Sequence, residues 1–237
     1  MTPAQRTSEP AAHNAHRARR RAEGPENYAK AIYQLQGRGE GAVANGAVAE
    51  RLGVTPASAS AMLKRMADDG LVEHAPYKGV RLTARGDALA LEMIRHHRLI
   101  ELFLAEVLGM PWDRVHEEAE VLEHAISPEL SELIAAKLGN PTHDPHGDPI
   151  PTSEGEIHEP PTYAFAELEA GASGVFVRVS DSDPEMLRYL AGRGIAPGDG
   201  FEVLDREPFD GPLTVRFGDA QHVLGGRLTR AMRAAVG

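Results

Sequence analysis

Cysteine is absent from the 237 residues, which excludes disulfides, thiolate metal sites and cysteine nucleophiles together. Any metal held by this chain must be held by nitrogen and oxygen. Long hydrophobic runs are also missing. No stretch approaches the roughly 18 consecutive apolar residues needed to cross a bilayer. The N-terminus runs from a polar start into arginines with no apolar segment behind them, so no secretory signal is expected. These absences predict a soluble, cytoplasmic protein without membrane contact, long enough for two or three compact domains.

Positive charge is scarce overall, with a net charge of −10, but it is unevenly spread. Residues 1–86 hold 13 Lys and Arg against 8 Asp and Glu, while the remainder holds 12 against 27. The front of the chain could therefore meet phosphate, and the rear could not. Residues 1–23 are Ala, Arg, Ser and Pro without apolar periodicity. They read as a flexible basic arm in which Arg17, Arg19, Arg20 and Arg21 could touch a DNA backbone.

Helical periodicity begins at Pro25, with Tyr28, Ala31, Ile32 and Leu35 on one face. Gly37, Gly39 and Gly41 end it. A short helix is expected over 46–51, closed by Gly53. Thr55 as N-cap with Pro56 at the first position then starts a third helix reaching Gly70. Helix, Leu52-Gly53-Val54 turn and capped helix form a helix-turn-helix signal. Two short strands over 71–74 and 80–83 make a wing, so 24–86 is predicted to be a winged helix-turn-helix. Helices follow over 83–108, 112–124 and 128–138, giving a helical domain over 87–150. The proline-rich composition of 139–163 reads as a linker, with the domain boundary at 151–163. Beyond it, strands over 174–179, 200–204, 213–217 and 220–224, with one helix over 184–190, predict a small β-barrel in 164–237. The fold class is mainly α with a small β domain.

One constellation carries chemistry. On a single helix, Glu120, Glu123 and His124 stand at i, i+3 and i+4, with His116 one turn earlier, all within an arc of about 100°. On the preceding helix His97 and Glu101 form an i, i+4 pair. Antiparallel packing of the two helices would bring six donors together. A solvated face of Glu and His is the bland alternative; a bound cation would relieve the repulsion among the acids. Oxygen and nitrogen donors suit Mn²⁺, Fe²⁺ or Zn²⁺, and the lack of sulfur tilts toward the harder ions. An enzyme is disfavoured: His116-Glu117 starts an HExxH pattern, but Glu120 occupies the place of its second His.

The stretches Tyr28-Ala-Lys-Ala-Ile-Tyr, Ala49-Glu-Arg-Leu-Gly-Val, Met93-Ile-Arg-His-His-Arg-Leu-Ile-Glu, Val115-His-Glu-Glu-Ala-Glu-Val-Leu-Glu-His and His146-Gly-Asp-Pro-Ile-Pro resemble the diphtheria-toxin-repressor family, and within it the manganese transport regulators. The resemblance spans about residues 25–237. It implies a manganese-dependent repressor, a homodimer that binds palindromic double-stranded operator DNA. In the iron-responsive branch a cysteine takes the place of Glu120; the manganese branch has glutamate. An iron-responsive regulator is thus the alternative.

The resemblance also implies a principal site of Glu120, Glu123, His124 and His97 with a contribution from Asn27. His116 and Glu101 would belong to a second site. The last domain resembles the SH3-like ferrous-transport type and would add Asp183 or Glu185 to that second site. Asn27 stands where manganese regulators usually have aspartate, and Lys30 where some have another acid. That favours separate principal and ancillary sites over a two-manganese cluster. On the recognition helix Thr55, Ala57, Ser58, Ala61 and Lys64 are placed to face DNA, with Lys78 in the wing. Most of these are small, which suits apolar contact and shape readout, while Lys64 and Lys78 are the phosphate candidates.

Overall fold

The computed structural model describes residues 24–37, 41–75, 79–209 and 211–237. The expected basic arm and Lys78 lie outside them. The chain divides into two compact units between Ile94 and Arg95, and each is described by itself.

The first unit opens with α1 (Pro25–Gln36), whose first position is the expected proline. Helices α2 (Asn45–Leu52) and α3 (Pro56–Asp68) follow, separated by Gly53 in the left-handed conformation. The Thr55 side chain accepts the Ser58 N–H at 3.2 Å, so this helix has its predicted cap. Strands β1 (Val72–Ala75) and β2 (Gly79–Leu82) pair antiparallel, with Val72 opposite Leu82. Ile32, Leu63 and Met66, all fully buried, lie in one core with Tyr28, Val48 and Val80. Each of those three contributes about 1.5–3 kcal/mol by leaving water. This is the winged helix-turn-helix the sequence announces.

Helix α4 (Ala84–Glu106) runs on into the second unit. There Leu99 and Leu102 pack with Ile134 of α6 (Pro128–Lys137), while Ile100 and Leu104 pack with Val115 and Ala119 of α5 (Val115–Leu122). The α5 helix is shorter than the expected 112–124. Ser127 caps the next helix and Pro128 occupies its first turn, and a residue before proline is pushed out of the helical region. The chain must leave α5 early enough to reach that extended cap, so Glu123 is only its C-cap and His124 lies in the following turn.

The last part of this unit is a six-stranded antiparallel sheet, in the order β3 (Tyr163–Ala164), β8 (Met232–Val236), β4 (Ser173–Val179), β5 (Gly200–Arg206), β6 (Leu213–Phe217) and β7 (Ala220–Leu224). Phe165, Phe176, Phe201 and Phe217 form its aromatic centre, with α7 (Pro184–Ala191) and α8 (Gly226–Ala231) alongside. No pairing joins β7 back to β3 among the described residues, so the sheet domain is found but not the closed barrel. Strand β8 escapes sequence reading because Met232-Arg-Ala-Ala-Val has weak β propensity; only its position between β3 and β4 makes it a strand.

The proline-rich segment read as a linker is in part built structure. The Asp144 carboxylate accepts the N–H groups of His146 at 2.8 Å and Asp148 at 2.9 Å, and Ile150 N–H bonds the Thr142 carbonyl at 2.8 Å. The Arg98 side chain donates to the Pro149 carbonyl and Arg95 to the Pro151 carbonyl. The Val179 N–H bonds the His146 carbonyl at 2.9 Å, tying this loop to β4. Gly147, at φ 87°, permits that approach: a Cβ there would sit 1.9 Å from the Val177 carbonyl oxygen. Gly147→Ala is expected to cost about 2–4 kcal/mol. Gly139→Ala, also at positive φ but with nothing within 4 Å, should cost only about 1–2 kcal/mol. Urea denaturation of both variants checks the difference; equal losses would show that the close approach does not matter.

Candidate metal centre

Helix α4 delivers His97 and Glu101 on one face, one turn apart, and both are buried. Helix α5 brings His116 and Glu120 to meet them, with Glu123 at its end. The loop after α6 adds Asp144 and His146, and the turn after β4 adds Asp181. Three groups of donor atoms result: His97, Glu101, His116 and Asp181; His97, Glu120 and Glu123; and Glu101, Asp144 and His146.

The groups are chained through two residues. His97 Nε2 lies 3.0 Å from Glu101 Oε1 and 3.1 Å from His116 Nδ1, while its Nδ1 lies 2.5 Å from Glu123 Oε2 and 3.8 Å from Glu120 Oε1. Glu101 Oε1 is 3.2 Å from His116 Nδ1, and its Oε2 is 3.9 Å from His146 Nδ1. His116 Nδ1 also lies 2.9 Å from Asp181 Oδ2. Metal–nitrogen and metal–oxygen bonds of about 2.1 Å meeting at right angles put neighbouring donors about 3.0 Å apart. The first group has that spacing, and its donor set fits a borderline-to-hard divalent ion.

Electrostatics point the same way. Burial opposes ionisation of Glu101, yet His97, His116 and His146 together pull its pKa far below the usual carboxylate range. Hydrogen bonds to Asp181 and Glu101 push His116 up to about 10 against its own burial. Burial raises Asp144 and Asp148, aided by neighbouring acids and opposed by Arg98. Without a cation, then, the acids hold protons on themselves or on the imidazoles.

Of the residues expected from sequence, His97, Glu101, His116, Glu120 and Glu123 come together. His124 stands apart: its Nε2 is 3.5 Å from Glu123 Oε1, but it belongs to none of the three groups. Asp183 also stands apart. Its carboxylate caps α7 by accepting from Glu185 and Met186 N–H groups and takes Arg227 at 2.6 Å; Asp181 is the acid this segment contributes. Asn27 is buried in α1 of the first unit. Asp144 and His146 were missed among the donors, although the Asp-x-His spacing was there to see. On α3, Thr55, Ala57, Ser58, Ala61 and Lys64 are all exposed while Ala59, Leu63 and Met66 are buried, so the expected reading face is open to solvent.

Fold and site together define a winged-helix protein whose second unit gathers nitrogen and oxygen donors around common points. Three family models match: the iron-dependent repressor N-terminal DNA-binding domain over residues 22–80, its metal-binding and dimerisation domain over 83–152, and the FeoA domain over 164–233. The chain belongs to the iron-dependent repressor family.

The iron-dependent repressor IdeR of Mycobacterium bovis is 39% identical over 126 residues, 53% of this chain and 54% of that protein. The diphtheria toxin repressor of Corynebacterium jeikeium is 32% identical over 67% of this chain and 68% of its own length. The chain thus spans about half the length of the first of these curated relatives. A solved structure described as a manganese-dependent transcriptional repressor in complex with manganese is 40% identical, with a TM-score of 0.82 over 90% of this chain and 100% of its own. That of the manganese regulator SloR is 29% identical, with a TM-score of 0.69 over 90% and 99%. These relatives and neighbours are transcriptional regulators, not enzymes.

A metal taking His116 Nδ1 must displace the proton that Asp181 and Glu101 hold there. Because the pKa of His116 is raised to about 10, affinity should climb about tenfold per pH unit for each proton released between pH 6 and 8. Calorimetry in buffers of different ionisation enthalpy should count at least one proton released. Proton-neutral, pH-independent binding would remove His116 from the ligand set. In the metal-free chain the sign reverses. Stability from charged His116 is present below its ordinary value of 6.5 and lost as pH rises through about 10.

Proposed function

We propose that this chain is a manganese-dependent transcriptional repressor that binds palindromic operator DNA as a homodimer and works in the cytoplasm. The carrying observation is the chained set of carboxylates and imidazoles around His97 and Glu101, in a chain with no cysteine. A divalent cation, when bound, would supply the positive charge these acids lack. Glu101, His97, His116 and Asp181 would hold one ion, with Asp144 and His146 on the other oxygen of Glu101. Glu120 and Glu123 would serve the principal site of the resemblance, with His124 and Asn27 joining them; for these two the support is sequence likeness alone.

The family's dimerisation domain corresponds to residues 83–152, and Leu122, Leu130 and Leu133 leave apolar surface exposed there, as a second copy would cover. The C-terminal sheet corresponds to the FeoA domain and would close as an SH3-like barrel. Tying the donor-bearing elements together would favour the dimer geometry that reads DNA. Such a coupling is typically about 1–3 kcal/mol, an increase in operator affinity of about 5–150-fold.

Iron is the second reading, because the curated relatives include proteins named iron-dependent repressors. Fluorescence anisotropy on the chain's own upstream DNA, with Mn²⁺, Fe²⁺, Zn²⁺ or chelator, separates the two. Tight binding with Mn²⁺ that chelator abolishes is expected. Binding indifferent to chelation would overturn the proposal, and a response to Fe²⁺ alone would establish the second reading. For the DNA face, Lys64→Ala should lower affinity on all sequences and reduce the log–log salt slope by about 0.9. An unchanged slope would take Lys64 off the phosphate backbone.

A further inference from the structure

His146 is fully buried, and its two ring nitrogens have unlike surroundings. Nε2 lies 2.8 Å from the Trp112 carbonyl oxygen, which can only accept, so Nε2 carries the hydrogen. In the neutral ring Nδ1 is then a bare lone pair. It is buried without a hydrogen-bond partner and faces Glu101 Oε2 at 3.9 Å. Two acceptors turned toward one another away from water are compensated only by something positive between them.

What turns the ring that way is Trp112. Its indole stacks on the His146 imidazole, with centroids 5.8 Å apart and planes at 22°, and also packs against the aromatic core of the C-terminal sheet. The indole N–H is itself buried and unpartnered, so no hydrogen bond accounts for an indole at this place. Its flat surface against His146 does. The neighbouring Asp113 is held to α7 by Arg188 at 3.0 Å, fixing the segment whose carbonyl takes the His146 proton. On the loop side the His146 backbone is fixed by Asp144 and by Val179.

We propose that Trp112 is a positioning residue of the metal centre: its carbonyl selects the tautomer of His146 and its indole sets the ring plane, so that Nδ1 is presented as a ligand beside Glu101. The inference rests on the reading of these groups as a divalent-metal centre and adds to it a residue that touches no metal. It also makes the C-terminal sheet part of the site's scaffold, since the indole packs on that sheet's core as well.

The test uses the full chain and Mn²⁺ alone as the probe. In the metal-free ¹⁵N-labelled protein, long-range imidazole correlations should show His146 as the Nε2–H tautomer in the wild type and in Trp112→Phe, and a mixture in Trp112→Leu, which fills space but cannot stack. Equilibrium dialysis should find Trp112→Phe close to wild type. Trp112→Leu should lose about 10–100-fold in affinity for one ion, as when other outer-shell partners are removed, with the remaining binding unchanged. A wild type that binds Mn²⁺ alongside a Trp112→Leu variant of equal affinity and unaltered tautomer overturns the inference. A wild type that retains no Mn²⁺ overturns instead the reading beneath it. Trp112 is the chain's single tryptophan, so in the wild type Mn²⁺ should also quench the emission. In His146→Gln quenching should be lost, and its persistence there would count against the assigned contact.

Discussion

The carboxylate of Glu101 is 1% exposed, and its two oxygens face different companies: Oε1 meets His97 and His116, Oε2 meets His146. A buried carboxylate that stays ionised must be surrounded by positive charge or by donors. Here His97 and His116 meet that need only through ring nitrogens that carry hydrogen. Replacing those protons with a divalent ion satisfies the same carboxylate and frees the imidazole lone pairs to bind. The rest of the second unit follows from this constraint. Four segments far apart in sequence, α4, α5, the loop after α6 and the turn after β4, must each deliver side chains to one small volume.

Each delivery has its own physical cause. Helical periodicity alone sets His97 under Glu101. The Asp144 side chain closes a tight turn on the His146 and Asp148 N–H groups, and Gly147 lets that turn lie against β4 closely enough for Val179 to hold the His146 carbonyl. Arg98, one residue from His97, grips the same loop through Pro149 and Asp148. One stretch of α4 therefore carries both donors and the side chain that anchors the loop bearing two more. The first unit is built on different terms. Its α3 buries Ala59, Leu63 and Met66 and turns Ala57, Ala61 and Lys64 outward.

Much of this was legible in the residues, and the failures have identifiable reasons. Caps and periodicity located the winged helix because Thr55-Pro56 and Gly53 act locally. The i, i+4 pair on α4 and the His116–Glu120 pair on α5 were readable for the same reason. His124 was placed on a helix that Ser127-Pro128 had already ended. The resemblance points to Asp183 or Glu185, but Asp183 stands directly before Pro184 and its carboxylate caps the helix; the acid that joins the donor group is Asp181, two residues earlier. Asp144 and His146 lie where the prolines suggest a linker, but prolines can equally brace a turn, as they do here. Strand β8 carried no local signal at all, because its identity depends on β3 and β4 pairing with it on either side.

The central claim is that buried Glu101 is shared between donor sets that a divalent ion completes. Crystals of the full chain grown with Mn²⁺, measured on both sides of the manganese absorption edge, address it directly. The account predicts anomalous density among His97, Glu101, His116 and Asp181, with Glu101 as a ligand. Manganese located only at surface acids, leaving Glu101 bonded to protonated imidazoles, would contradict it.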